Sequence, residues 1–137
     1  MNGLFLPTTG NGGAPVLVVE DESMIRMLLV WELEEAGLMV IEADGADAAV
    51  VELEANPSIA LVVTDIRMPG SMDGLGLASW MHIHARGCPI IITSGFASPP
   101  DFATINPAIA FTWSKPYLPR DVAGCAAEMI AQHLHST

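Results

Sequence analysis

Apolar residues fall in short runs separated by longer segments with helical spacing, and this alternation repeats along the whole chain. The runs are VLVV at 16–19, LMVIEA at 38–43, SIALVVTD at 58–65, PIIIT at 89–93 and AIAFTW at 108–113. Their length and their β-branched content predict strands. PIIIT is apolar throughout, as a strand covered on both faces should be. Between the runs, SMIRMLLVWELEEAG at 23–37 places Ile25, Leu29 and Leu33 four residues apart. Leu28 and Ala36 are expected to widen that stripe, Ser23 to cap the helix and Gly37 to end it. Trp31 lies off the stripe, which leaves it packed at the helix margin or turned outward to a partner. GADAAVVELEANP at 45–57 and LGLASWMHIHARG at 75–87 predict two more helices, the second with Asp73 near its start. LPRDVAGCAAEMIAQHL at 118–134 predicts the last, with Pro119 and Asp121 in its first turn.

Strands that alternate with helices require a mostly parallel sheet with helices on both faces and right-handed crossovers. The fold class is therefore α/β: a doubly wound, five-stranded parallel sheet. One stretch departs from this regularity. Pro99, Pro100 and Pro107 forbid a long helix in SGFASPPDFATINPAIAF, so a short or irregular fourth helix is expected there. Residues 1–13 read as a flexible leader and 14–135 as one domain, with no output domain after the last helix.

At 137 residues and 51% hydrophobic content the chain supports one core. Its formal charge of -11, from 16 acidic against 5 basic residues, opposes contact with a phosphate backbone and argues against nucleic acid as a partner. The acidity suits a basic protein surface, a divalent cation or simple solubility. Cys88 and Cys125 lack metal-ligand spacing. His82 with His84, and His133 with His135, stand in an i, i+2 relation that does not share a helix face. No apolar stretch reaches membrane-spanning length, and a cytoplasmic location is expected.

Candidate chemistry gathers at the carboxyl ends of the predicted strands, where open α/β sheets bind ligands. Glu20, Asp21 and Glu22 follow the first strand and Asp65 ends the third. Thr93 and Ser94 follow the fourth, and Lys115 and Pro116 the fifth. Convergence of Glu20, Asp21 and Asp65 would crowd three carboxylates, a repulsion that Mg²⁺ relieves while taking oxygen ligands. Aspartate is a competent nucleophile toward phosphorus. Asp65 is the best placed, before the turn IRMPGSMDG, with Glu20 and Asp21 as cation ligands, Lys115 as a positive charge and Ser94 as a hydroxyl donor. Thr93 is the weaker hydroxyl candidate because it ends the strand proper. No glycine-rich phosphate loop follows the first strand, against a nucleotide-cofactor fold.

VLVVEDE, LVVTDIRMPG with its following DG, IIITSG and SKPY closely resemble the receiver domain of bacterial two-component response regulators, over about Ala14 to Leu134. The resemblance implies a flavodoxin-like receiver fold with Asp65 as phosphoacceptor. It implies direct Mg²⁺ binding by Asp21, a contribution from Glu20 through water, and a ligand from the Arg67 backbone carbonyl. Ser94 is the implied hydroxyl that senses the phosphoryl group, Lys115 its contact, and Pro116 the proline that often follows in a cis peptide. SGF and SKPY around the irregular segment are similar to single-domain or hybrid-kinase receivers of alphaproteobacteria. One departure stands out: Thr112 occupies the family's usual aromatic switch position, and strand alternation puts Phe111 and Trp113 on the opposite face.

The function so implied is that of a single-domain response regulator, phosphorylated by a histidine kinase or a histidine phosphotransfer protein. It would catalyse its own phosphorylation and slow dephosphorylation, signalling or relaying through protein contacts as a monomer or weak homodimer. The alternatives are a receiver excised from a hybrid kinase or longer regulator, and a phosphorylation-independent binding receiver. By family analogy the first helix, with Met24, Met27 and Trp31, docks the kinase, although core packing would account for the methionines equally well.

Overall fold

The computed structural model of the chain describes residues 14–95 and 106–135. The expected leader at 1–13 lies outside them, as does the expected irregular helix, which falls in the segment 96–105. Among the described residues nine elements follow in order: β1 (Val16–Val19), α1 (Ser23–Glu35), β2 (Val40–Ala43), α2 (Ala46–Ala55), β3 (Leu61–Asp65), α3 (Gly74–His84), β4 (Ile90–Ser94), β5 (Ile109–Ser114) and α4 (Pro119–His135). All strand pairs are parallel, in the order β2-β1-β3-β4-β5. The sheet is doubly wound, as the alternation of runs predicts.

Alternation of side chains along the strands divides the core in two. Leu17, Val19, Val62, Ile90 and Ile92 face α2 and α3, where Ala49, Leu53, Leu77 and Met81 meet them. Val16, Val18, Leu61, Val63 and Ile91 face α1 and α4, against Leu29, Leu33, Val122, Ala126 and Ile130. Every residue of β1, β3 and β4 is buried, which explains why these strands read as unbroken apolar runs.

Two local expectations are corrected. Ser23 is the first helical residue of α1; Glu22 holds the cap position and makes no side-chain capping bond. Neither Leu28 nor Ala36 widens the inner stripe: Ala36 is exposed at the C-cap, and Leu28, 50% exposed, continues an outward row with Met24, Met27 and Trp31 at i, i+3, i+4 and i+7 spacing. The methionines at 24 and 27 are thereby surface residues, and Trp31 is turned outward. Asp73, expected near the start of α3, is its N-cap, its Oδ1 accepting the Gly76 N–H at 2.8 Å.

β5 is an edge strand that slips by one residue. Ile90 pairs with Ile109 but Ile91 pairs with Phe111, so Ala110 is the extra residue of a bulge. Without it Ile109 and Phe111 would share a face. With it, Ile109 joins the α2/α3 core, while Phe111 and Trp113 lie on the other side of the sheet from Thr112.

The entry to β5 is pinned by Asn106, which is 7% exposed. Its amide donates to the Ala78 carbonyl in α3 at 2.9 Å, and its Oδ1 accepts the Ala108 N–H at 3.0 Å. Asn106→Ala strands both backbone groups and should destabilise the protein by about 1–3 kcal/mol. Urea unfolding checks this: the expected result is a lower midpoint with an unchanged m-value.

Candidate functional site

The register of the sheet assembles the site. The β1/β3 ladder ends with Val19 opposite Thr64, so the next residues on each strand, Glu20 and Asp65, emerge side by side. β4 adjoins with Thr93 opposite Asp65. Ser94 lies opposite Ser114 on β5, and the Lys115 N–H continues that ladder to the Ser94 carbonyl at 2.7 Å. The four sequence segments therefore meet at one edge, although Glu20 and Lys115 are far apart in the chain.

One carboxylate oxygen each from Glu20, Asp21 and Asp65 lies within 4.8 Å of the others. Lys115, the chain's one lysine, reaches into this cluster. Its Nζ donates to Asp65 Oδ2 at 2.7 Å and stands 4.0 Å from Glu20 Oε1. The Lys115–Pro116 peptide is cis, as the resemblance implies. Glu20 and Asp65 are 1% and 5% exposed, whereas Asp21 reaches solvent. β4 runs through Ser94, one residue further than expected, and Thr93 and Ser94 are both buried within it. Arg67, proposed through its backbone carbonyl, follows Ile66 in the turn and is exposed.

The loops hold these groups by backbone contacts. Glu20 Oε2 accepts the Glu22 N–H at 3.0 Å. Arg26 donates from Nη1 to the Glu20 carbonyl at 2.7 Å and from Nε to Glu42 at 3.1 Å, which ties α1 to the acidic loop. After Asp65 the chain turns through Gly70, with φ at 110°, a conformation that favours glycine. It returns at Gly74, whose N–H donates to the Ile66 carbonyl at 2.8 Å. A β-carbon at 74 would collide with the Asp65 carbonyl oxygen and the Ile66 backbone. The glycine thus lets the start of α3 close against the aspartate.

Electrostatically the cluster is undercompensated. Burial pushes the Glu20 carboxyl up from 4.5 to about 7; the Glu22 amide and Lys115 oppose this, while the Asp65 charge and a hydrogen bond with Asp21 add to it. Glu20 Oε1 is buried and has no hydrogen-bond partner. Burial alone would lower the Lys115 pKa, but its bond to Asp65 and the charges of Asp65, Glu20 and Glu22 outweigh that and hold it above the ordinary lysine value. A buried, orphaned carboxylate oxygen beside two further carboxylates is a donor set suited to a hard divalent cation.

Sequence reasoning assigned no role to Arg26 or Tyr117, and read Gly74 only as one of the two glycines of the turn IRMPGSMDG. For Arg26 the signal was its scarcity, one of 5 basic residues in so acidic a chain. Tyr117 is the single tyrosine and directly follows Lys-Pro. Its hydroxyl is buried without a hydrogen-bond partner. Beside it an open pocket of about 470 Å³ is lined by Ile25, Leu28, Gly95, Lys115, Pro116, Tyr117 and Pro119, continuous with the outward row of α1. Among the described residues no helix is long and apolar enough to cross a membrane.

The raised Glu20 pKa has a definite sign for stability. Between about 4.5 and 7 the folded protein keeps a proton that the unfolded chain has lost, so raising the pH through this window favours unfolding. In chelator-treated protein the thermal midpoint of the parent should fall more steeply across the window than that of Glu20→Gln. Parallel pH profiles of the two melting curves would contradict this.

Comparison with known proteins agrees with this geometry. The family model described as the response regulator receiver domain matches residues 16–120. The response regulator receiver protein CpdR of Brucella abortus is 34% identical over 118 residues, 84% of this chain and 95% of that protein. The sensor kinase CckA of the same organism is 35% identical over 123 residues, 88% of this chain but 13% of the kinase. The chain spans 37% of a probable transcriptional regulatory protein of Picosynechococcus, at 36% identity. Among solved structures, a CheY-like receiver from Methanospirillum hungatei superposes with a TM-score of 0.78 at 25% identity, covering 90% of this chain and 98% of that one. The response regulator TrrA of Thermotoga maritima, solved in complex with Mg²⁺ and BeF, gives 0.72 at 26% identity, covering 84% and 97%. The cluster of Glu20, Asp21 and Asp65 matches the phosphoaspartate and magnesium site of such domains. By its sheet order, its acidic cluster and the family match across most of its length, the chain belongs to the response regulator receiver domains of two-component signalling.

Proposed function

We propose that the protein is a single-domain response regulator that accepts a phosphoryl group on Asp65 from a phosphohistidine donor and signals or relays through protein contacts. The observation that carries this reading is the joint geometry of three clustered carboxylates and a Lys115 ammonium 2.7 Å from Asp65. The match to CpdR over 95% of that protein's length supports the single-domain form. The chemistry is self-phosphorylation rather than metabolic catalysis.

In this reading an Asp65 carboxylate oxygen forms the new O–P bond while the donor's N–P bond breaks and its electron pair returns to the imidazole. Lys115 then moves its hydrogen bond from Asp65 Oδ2 to a phosphoryl oxygen, and the Ser94 hydroxyl donates to another. Asp21, Asp65 and the Arg67 carbonyl would hold Mg²⁺, with Glu20 helping through water. The metal, when bound, neutralises the clustered carboxylates and the phosphoryl oxygens. Asp65 is nearly buried, so the donor must approach along the open strand ends. The outward row Met24, Met27, Leu28 and Trp31, each at least half exposed, supplies an apolar surface there for a histidine kinase or histidine phosphotransfer protein. Such a domain would act in the cytoplasm as a monomer or weak homodimer.

The match to CckA over 13% of its length supports a second reading, the receiver portion of a hybrid kinase. The mass of the native protein in its own cell separates the two.

Incubation with a small-molecule phosphodonor, read by intact mass, tests the chemistry. One phosphoryl adduct should form with Mg²⁺, fail to form after chelation, and be absent from Asp65→Asn. A parent protein that stays unlabelled beside a labelled control receiver would instead make this a phosphorylation-independent binding domain.

A further inference from the structure

Thr112 stands where an aromatic residue would be expected to follow the phosphorylation state, and it is exposed on the edge strand. The aromatic that does approach the site is Tyr117. Its ring packs against the core beneath α1 and α4. Its hydroxyl is buried, and no atom meets hydrogen-bond geometry with it. Burial raises its pKa, and the charges of Glu20 and Asp65 raise it further, while a hydrogen-bonding approach of the Thr93 side chain, short of full hydrogen-bond geometry, acts in the opposite sense. The hydroxyl therefore remains a protonated donor under the influence of both carboxylates, with the Thr93 side chain near it but no acceptor in hydrogen-bond geometry. A buried donor in that condition is costly and is satisfied by any acceptor placed within reach.

We propose that Tyr117 takes the switch role that Thr112 leaves empty: its hydroxyl, unpartnered in the unphosphorylated protein, donates to the phosphoryl group formed at Asp65. This rests on Asp65 being the acceptor, and it names the residue through which that event is transmitted. Phosphorylation supplies new acceptor oxygens beside the orphaned donor. The same ring lines the pocket formed with Ile25, Leu28 and Pro119. Turning the hydroxyl toward the phosphoryl group reshapes the wall of that pocket, next to the exposed row of α1. The phosphorylation state is thereby written onto a partner-facing surface without an aromatic at 112. Proximity of Tyr117 to both places permits this, since a group can shift a two-state equilibrium only by contacts that differ between the states.

Because the chain has one tyrosine, protein grown with tyrosine labelled with ¹³C at Cζ gives a single resonance that reports the hydroxyl directly. Addition of Mg²⁺ with beryllofluoride, a phosphoryl mimic, should shift that resonance in the parent and leave it in place in Asp65→Asn. Tyr117→Phe keeps the ring and should still take one phosphoryl adduct. Its phosphorylated half-life should be about threefold to tenfold shorter, the loss of one hydrogen bond to the acyl phosphate. An adduct on the parent with an unmoved Cζ resonance, or an unchanged half-life in Tyr117→Phe, overturns the role of Tyr117 while leaving Asp65 as acceptor. No adduct on the parent overturns both.

Discussion

The ion pair between Lys115 and Asp65 is the contact on which the site depends. It joins the last residues of β3 to the loop beyond β5, with β4 between them, so it exists only when three parallel strands are in register. It brings a full positive charge directly onto Asp65, while Arg26 is spent on the Glu20 carbonyl and on Glu42. One ammonium cannot balance Glu20, Asp21 and Asp65 when all are ionised. The molecule answers by holding a proton on Glu20 up to about pH 7, and the residual repulsion is what a divalent cation relieves.

The rest of the fold supplies rigidity to that imbalance. Like charges stay together only where the scaffold prevents them from moving apart. Here β1, β3 and β4 are buried on both faces, α1 is anchored to the acidic loop by Arg26, and Gly74 allows α3 to start directly against the Asp65 carbonyl. Charge strain is thus held in a frame whose core is apolar, while the exposed outer row of α1 lies beside the pocket that Lys115 and Tyr117 help to line. The proposed phosphorylation chemistry and partner contact would share one end of the sheet for that reason.

Much of this was legible in the residues. Strands buried on both faces announce themselves as VLVV, LVVTD and IIIT, because solvent never demands a polar residue there. Glu20, Asp21, Asp65, Ser94 and Lys115 stood out because each follows an apolar run, and parallel topology brings such positions together. The failures have equally physical causes. Leu28 was assigned inward because apolar character was equated with burial, yet surfaces carry apolar residues too. The bulge at Ala110 leaves no trace in AIAFTW, since a one-residue slip depends on what β4 offers. Arg26 and Tyr117 take their places through contacts with residues distant in sequence or with backbone atoms, which no local pattern encodes.

The most direct test of the account is calorimetric titration of Mg²⁺ into the unphosphorylated parent at several pH values and in buffers of different protonation enthalpy. The account predicts one site whose affinity rises as the pH passes through about 7, with proton release on binding at the acid side of that range. Absence of binding, or binding with neither pH dependence nor proton release, would contradict the claim that an undercompensated carboxylate cluster organises this site.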